Sequence, residues 1–181
     1  MEQTKQAAVG CVIMASGRAV RFGSDKLLAD FGGAPLIARA AGAATVLHSL
    51  PGRNDTVRLG LDALLGECPG LGGCIFLPGD QPLLRRESLE AMVRDFHAQK
   101  ETERVILRLG WRAGGAEPLL GSPVLFGSGH FDALRALPEG KGGGVVIRQH
   151  PGCVRAVYAQ SAEELEDADT VERLEALKRF L

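Results

Sequence analysis

Residues that can bind phosphate are concentrated in one short segment near the start of the 181-residue sequence. Three cations, Arg18, Arg21 and Lys26, fall within nine residues and alternate with Gly17 and Gly23. Glycines let backbone N–H groups approach phosphate oxygens closely, while Arg and Lys side chains neutralise phosphate charge. The spacing is neither that of a P-loop nor that of a GxGxxG dinucleotide loop. The segment therefore predicts a triphosphate-binding loop of another kind, with a surface loop of solvated cations as the alternative.

An acidic turn follows later in the chain, where Asp80 lies between Gly79 and Pro82. Proteins usually hold Mg²⁺ with one or two carboxylates, leaving the other positions to substrate phosphates and waters. Asp80 could instead serve only to shape the turn, because Asp is common at such positions. The metal interpretation is favoured because neighbouring strand ends of a parallel sheet face one crevice, which would bring Asp80 towards the cationic loop.

Both of these segments follow a short apolar run that predicts a strand buried on both faces. The two runs cover 9–15 and 73–78, and each is too short and too rich in β-formers to favour a helix. Further strands are predicted at 104–109, 123–126 and 153–159, the last of them nearer an edge of the sheet.

Helical patterns separate the predicted strands. One helix is predicted to begin at Pro35, two more to cover 55–65 and 86–99, and a C-terminal helix to be capped by Thr170. Strands that alternate with helices predict an α/β fold with a mostly parallel sheet covered on both faces. No repeat, linker or low-complexity tract divides the chain, so we predict one domain over 1–181.

The composition argues against several classes of protein. A net charge of −1 gives no general attraction for nucleic acid or an anionic membrane. No apolar run approaches the roughly 20 residues of a membrane span, and the sequence does not open like a signal peptide, so we expect a cytoplasmic protein. None of the four cysteines forms a CxxC pair, which argues against structural zinc, and Cys11 and Cys74 are predicted to be buried thiols. The four histidines are predicted to be surface or capping residues: His48, His97, His130 and His150.

The cationic segment and the acidic turn together resemble the molybdenum cofactor nucleotidyltransferases. Residues 14–28 read MASGRAVRFGSDKLL, which is similar to the family signature LAAGxSxRMGxxKLLL, and FGGAPL at 31–36 continues it. GDQPLL at 79–84 resembles the metal-binding motif of the molybdopterin cytidylyltransferase branch, which is associated with molybdenum hydroxylases. The segments at 121–126 and 167–170 also fit, so the resemblance runs over nearly the whole chain.

This resemblance implies a three-layer, Rossmann-like α/β fold of the nucleotidyltransferase type, and transfer of CMP from CTP to a molybdopterin-type cofactor with release of pyrophosphate. It also implies Mg²⁺ as the metal and a molybdenum hydroxylase as a possible client. Arg21 and Lys26 would neutralise the triphosphate, and Asp80 would hold Mg²⁺. The residues implied to lie along the triphosphate are Ala15, Ser16, Gly17, Arg18 and Gly23.

The resemblance also implies further site residues in two other segments. Either Asp167 or Asp169 would supply a second carboxylate to the metal; we assign Asp169, with capping of the last helix as the alternative role for both. RNDTVRLGL at 53–61 resembles the RxxSVxxGL segment of related cytidylyltransferases, so Arg53 and the hydroxyl of Thr56 would approach the nucleotide. Capping of that helix is the alternative role for the polar residues at its start.

Two departures from the family pattern bear on function. Ser16 stands where cytidine users have Ala and guanosine users have Gly, and its size favours CTP. After Ala44 the chain lacks about one βα unit that the family has at this point. This gap supports an alternative from a different class, a non-catalytic carrier or accessory protein for the molybdenum cofactor. A nucleotidyltransferase with another phosphorylated acceptor is a further alternative, against which the Gln81-Pro82 pair speaks.

Overall fold

The computed structural model describes residues 6–15, 26–43, 56–114, 117–138 and 140–181. Within these ranges five strands form one sheet in the order β1-β2-β4-β3-β5. The strands are β1 (Ala8–Met14), β2 (Leu71–Pro78), β3 (Ile106–Trp111), β4 (Leu119–Gly127) and β5 (Val154–Tyr158). The β1–β2 and β3–β5 pairs are parallel, whereas β4 is antiparallel to both of its neighbours. Four of these five strands therefore run in one direction, which confirms the predicted α/β class.

The described helices connect and cover these strands. They are α1 (Leu36–Ala43), α2 (Thr56–Glu67), α3 (Arg86–His97), α4 (Phe131–Arg135), α5 (Gly144–Gln149) and α6 (Val171–Leu177). Short 3₁₀ turns lie at Lys26–Leu28, Thr102–Arg104, Ser128–His130, Pro151–Cys153, Ala162–Leu165 and Lys178–Phe180. None of the described helices is both long and apolar enough to cross a membrane.

Strand β2 shows why the sheet is covered on both faces. Its residues Ile75 and Leu77 pack in a buried cluster with the apolar side of α3. The alternate residues Cys74 and Phe76 pack in a second cluster with α2, α4 and α5. Because successive strand residues point to opposite faces, a continuous apolar run requires a helical layer on each side. The described chain is therefore a three-layer α/β/α structure.

Most of the predicted elements are present, with differences at their ends and in two short helices. Strand β4 is longer than the predicted 123–126, and β5 lies at an edge of the sheet as predicted. Helices α4 and α5 were not predicted, because five and six residues are too few to display a helical period. The segment after Ala44, where the missing βα unit is expected, lies outside the described residues, and β1 is the other edge strand of the described sheet.

A third apolar cluster brings the C-terminal segment of the chain to the N-terminal part. Phe31 and Leu36 pack against Ala168, Leu174 and Leu177, so α6 is docked beside α1. The side chain of Thr170 caps α6 as predicted, since its Oγ1 accepts a hydrogen bond from the backbone N–H of Arg173 at 3.1 Å. The docking places the residues just before α6 next to the start of the segment that contains Lys26.

A buried carboxylate fixes another part of the C-terminal segment. Glu164 is fully buried and accepts hydrogen bonds from the Ser88 hydroxyl at 2.5 Å, the Arg85 N–H at 3.2 Å and the Gln160 N–H at 3.0 Å. We expect Glu164→Ala to lower the free energy of unfolding by about 2–3 kcal/mol, because it leaves buried donors unpaired. Glu163→Ala, in the same turn, should change it by less than about 0.5 kcal/mol. Urea titration of both variants measures the difference, and equal effects would contradict this role for Glu164.

The thiols of Cys11 and Cys74 are predicted to be unreactive in the folded protein. Burial raises the pKa of Cys11 to about 12, and burial together with the neighbouring Cys11 also raises the pKa of Cys74. Thiolate is the reactive form, so iodoacetamide at pH 8 should leave both residues unmodified until the chain is unfolded in guanidinium. Peptide mapping by mass spectrometry checks this, and labelling of either residue before unfolding would contradict it.

His130 was predicted to be a surface or capping residue; it stands at the N-cap position of α4, but its side chain is buried and makes no capping hydrogen bond. It is 5% exposed, and its Nε2 lies 2.8 Å from the backbone oxygen of Arg104. Its ring also packs against Phe126, with the ring centroids 6.3 Å apart. Burial of this polar side chain is tolerated because it has a hydrogen-bonding partner in the backbone. The sequence does not reveal that partner.

Candidate nucleotide and metal site

The candidate site lies where β1 and β2 end at the same edge of the sheet. The N–H of Gly79 donates to the backbone oxygen of Met14, the last residue of β1, at 3.0 Å. A Cβ at position 79 would lie 3.1 Å from that oxygen, which is closer than most such contacts, so glycine lets the turn approach the end of β1 without displacing it. The turn therefore carries Asp80 to the point where the predicted phosphate loop leaves β1.

Lys26 joins two acidic residues that are far apart in the sequence. Its Nζ donates to Asp80 Oδ2 at 2.6 Å and to Asp169 Oδ1 at 2.8 Å. The side chains of Lys26 and Asp80 are only 16% and 22% exposed, whereas that of Asp169 is 55% exposed. One ammonium group thus bridges the acidic turn after β2 and the segment before α6.

The charges at the site determine the protonation state of Lys26. Burial alone would lower its pKa, but the hydrogen bonds and charges of Asp169 and Asp80 outweigh this effect and raise the pKa. Lys26 is therefore fully charged at neutral pH. The described site contains one cation and several carboxylates, so its net charge is negative unless a further cation is added.

Backbone and side-chain hydrogen bonds attach the acidic turn to the C-terminal segment. The Ala168 N–H donates to the backbone oxygen of Asp80 at 2.9 Å. Gln81, which is 2% exposed, donates from Nε2 to the Leu165 oxygen at 3.4 Å and also hydrogen-bonds the Asp167 carboxylate. These contacts hold Asp80 close to Asp169. The sequence assigns no structural role to Gln81 beyond its place in the GDQPLL motif. Its position between Asp80 and Pro82 is the only sequence feature that indicates a role at the site.

The two acidic residues before α6 have different surroundings. Asp169 shares Lys26 with Asp80, whereas Asp167 is held by Gln81. Asp167 is exposed, but partial desolvation by the surrounding protein and the charges of Asp80 and Asp169 raise its pKa. The side chain of Thr170 caps α6, so neither aspartate is needed for capping. Because Asp169 shares Lys26 with Asp80, the geometry favours Asp169 as the partner of Asp80.

The remaining site predictions fall into two groups. Ala15 is exposed at the end of β1, and Thr56 is the first residue of α2. Because α2 ends at Glu67, just before β2 begins, its first residue lies towards the strand-end edge that carries Asp80. The other predicted residues lie outside the described residues: Ser16, Gly17, Arg18, Arg21, Gly23 and Arg53.

Asp80 and Asp169 are chemically suited to a divalent cation. Their oxygens already converge on one positive charge, that of Lys26, and carboxylate oxygens are preferred ligands of Mg²⁺ and Mn²⁺. Within the part of the chain that the structure describes, no cluster of three or more His, Cys, Asp or Glu side chains could hold a metal ion. A metal here would therefore take two carboxylates and complete its coordination with phosphates and waters, as Mg²⁺ commonly does.

Two carboxylates that converge with a lysine at the strand ends of an α/β sheet are typical of enzymes that act on metal-bound nucleotides. A family profile described as the MobA-like NTP transferase domain matches residues 11–50 and 44–154. These segments cover well over half of the sequence, so the chain belongs to this family and is a nucleotidyltransferase. The two matched segments meet at 44–50, which is also where the sequence predicts a missing βα unit. No curated protein matches the chain at a significant level.

Several solved structures have the same fold. Rv0371c from Mycobacterium tuberculosis H37Rv is 20% identical, with a TM-score of 0.73 over 96% of this chain and 98% of that one. Rv0371C in complex with manganese is 18% identical, with a TM-score of 0.71 over 96% and 99% of the two chains. A nucleotidyl transferase from Methanothermobacter thermautotrophicus, Mth528, is 17% identical, with a TM-score of 0.68 over 95% and 96%. These similarities confirm the predicted nucleotidyltransferase-type fold.

Proposed function

We propose that this nucleotidyltransferase uses a divalent cation, Mg²⁺ in the first instance, to transfer CMP from CTP to a molybdopterin-type cofactor with release of pyrophosphate. The observation that carries the proposal is the convergence of Lys26, Asp80 and Asp169 at the end of β1. A triphosphate bound by the predicted phosphate-binding segment, which ends at Lys26, would lie next to this cluster. The site therefore combines the metal ligands and the cation that nucleotidyl transfer requires.

In the proposed reaction, an oxygen of the acceptor phosphate forms a bond to the α-phosphorus of CTP, and the bond to the pyrophosphate group breaks. The acceptor phosphate is already ionised near neutral pH, so the protein needs no general base. Catalysis then depends on positioning and on stabilising charge. Asp80 and Asp169 would hold Mg²⁺, which when bound neutralises the phosphate oxygens and acts as a Lewis acid.

The cations of the chain have a separate task. Lys26, together with Arg21 of the predicted phosphate-binding segment, would offset the negative charge that develops on the departing pyrophosphate. Arg18 and the backbone of the segment 15–17 would hold the remaining phosphate oxygens. Thr56, the first residue of α2, and Arg53 would contact the nucleoside.

The choice of substrates rests on the sequence motifs. The size of Ser16 favours CTP over GTP, and GDQPLL at 79–84 favours the molybdopterin acceptor and hence a molybdenum hydroxylase as the final client. Gln81 supports the importance of this motif, because its side chain is buried and attaches the acidic turn to the segment that carries Asp167.

The test is a direct assay of pyrophosphate release. Pure protein is incubated with molybdopterin cofactor, Mg²⁺ or Mn²⁺, and each of the four nucleoside triphosphates in turn, and the products are identified by mass spectrometry. We expect that, of the four nucleoside triphosphates, only CTP releases pyrophosphate and forms a cytidine dinucleotide of the cofactor. Turnover of CTP only with another phosphorylated acceptor would overturn the acceptor assignment, and cofactor binding without turnover of any triphosphate would support a carrier.

Nucleotide binding should depend on the metal. The negative charge of Asp80 and Asp169 repels a triphosphate, so we expect calorimetric titration to detect CTP binding with Mg²⁺ and at least about tenfold weaker binding after treatment with EDTA. The segment after Ala44 that is short relative to the family should affect base selectivity more than triphosphate affinity, because the base makes fewer charged contacts. Absence of heat with CTP, GTP and ATP in Mg²⁺, from a sample shown to be folded, would contradict the enzyme interpretation.

A further inference from the structure

The Lys26 ammonium lies between the carboxylates of Asp80 and Asp169, the two residues proposed to bind the metal. The two contacts are 2.6 Å and 2.8 Å long, and the lysine side chain is 16% exposed. A flexible lysine seldom stays in one place at a protein surface, because a single exposed ion pair contributes little. Here two carboxylates from separate segments hold the same ammonium group, in a partly buried position where screening by water is weaker.

We propose that Lys26 is a built-in counter-cation of the metal site, so that the divalent cation and the ammonium compete for the same two carboxylates and the metal enters together with the nucleoside triphosphate. This inference rests on the proposed function, because it requires that Asp80 and Asp169 bind the metal. It adds that metal and nucleotide bind the site together, because neither of them binds well alone.

The competition follows from distance and charge. Metal–oxygen distances for Mg²⁺ are about 2.0–2.1 Å, so an ion bound to both carboxylates would lie among the atoms that now surround the ammonium. Two cations at that separation repel each other strongly, which means that Lys26 must leave when the metal binds. Metal binding therefore costs the two ion pairs of Lys26, unless the ammonium finds a new anionic partner.

The triphosphate would supply that partner. Lys26 has a long side chain and belongs to the segment predicted to bind phosphate, so its ammonium can move from the carboxylates to the phosphate oxygens. The carboxylates would then be neutralised by the metal, and the phosphates by both the metal and Lys26. Each ligand would remove the obstacle to the other, and this coupling is reciprocal.

The test compares metal affinity in the absence of nucleotide. Free Mn²⁺ is measured by electron paramagnetic resonance during titration of the wild-type protein and of Lys26→Met, which keeps the length of the side chain without its charge. We expect Lys26→Met to bind Mn²⁺ at least about tenfold more tightly than the wild type, because two ion pairs no longer have to be broken. Lys100→Met, at an exposed position beyond the end of α3, should bind like the wild type.

Further variants separate the possible results. Lys26→Gln serves as a second neutral variant if Lys26→Met is not folded by circular dichroism, and adding Asp80→Asn to either should remove the gain. Mn²⁺ affinity of the folded neutral variants equal to or lower than that of the wild type would overturn the competition. If CTP is never turned over but the Asp80-dependent gain is observed, the proposed function fails and the competition stands. If CTP is turned over without such a gain, only the competition fails.

Discussion

Asp80→Ala should reduce the rate of pyrophosphate release by at least about 10³-fold, equivalent to about 4 kcal/mol of transition-state stabilisation. The variant loses the less exposed of the two carboxylates that bridge to Lys26. It would thereby lose both the better-shielded proposed metal ligand and the group that orients the ammonium. The described turn contains no second carboxylate that could replace it, and Gln81 is a neutral, buried side chain that donates through its Nε2 to the Leu165 oxygen.

The structure explains why Asp80→Ala should still fold. The turn is held by backbone contacts that survive the substitution, namely the Gly79 N–H to Met14 and the Ala168 N–H to the Asp80 oxygen. Circular dichroism and thermal melting establish whether the variant is folded before its rate is interpreted. Asp95→Ala is the matched control, because Asp95 is exposed on α3. A folded Asp80→Ala protein that turns over at a near-native rate with Mg²⁺ would contradict the role of Asp80.

The fold could be predicted from the sequence where the apolar pattern was continuous. Strands β1 and β2 are fully apolar because both of their faces are covered, and this pattern is hard to confuse with an amphipathic helix. The reversed direction of β4 could not be predicted, since four consecutive apolar residues carry no information about strand direction. The contact between α6 and α1 was also invisible, because it depends on which apolar faces meet after folding.

The candidate site was predictable in its parts but not in its connections. The residues Lys26 and Asp80 were recognisable because each belongs to a motif at the end of a predicted strand. The family motif gave no physical ground for assigning Asp169 rather than Asp167 to the metal, since two residues in an irregular segment have no period from which a direction can be inferred. Their difference depends on Gln81 and Lys26, which approach them from segments more than 80 residues away.

The ion pairs of Lys26 also could not be inferred from its motif. The motif predicts an interaction with phosphate, whereas the described structure places the ammonium on two carboxylates. These descriptions are compatible if the lysine exchanges partners during the reaction, as the competition with the metal requires. The sequence motif therefore indicates only the interaction of Lys26 with phosphate, and its ion pairs with the two carboxylates become visible only in the structure.

Lys26→Ala should lower kcat/KM by about 10²-fold, or about 3 kcal/mol, because the loss of one charged group that stabilises the transition state commonly has this effect. The decrease should be mainly in kcat, since the lysine acts most strongly on the charge that develops on the leaving pyrophosphate. Steady-state kinetics at saturating Mg²⁺ measures both constants. Saturating metal also removes any contribution from a change in metal affinity.

The choice of control decides what this experiment can show. Arg39 is unsuitable although it lies outside the phosphate loop, because its guanidinium donates to the Phe31 oxygen at 3.2 Å and the Gly32 oxygen at 2.7 Å and so holds the turn after Lys26. Lys100 is exposed beyond the end of α3, and the direction of that helix places it at the opposite edge of the sheet. Lys100→Ala should therefore change kcat/KM by less than about twofold. Equal small effects of the two lysine substitutions would indicate that Lys26 only stabilises the resting site, whereas a large effect confined to Lys26 requires that its ammonium reaches the phosphates during turnover.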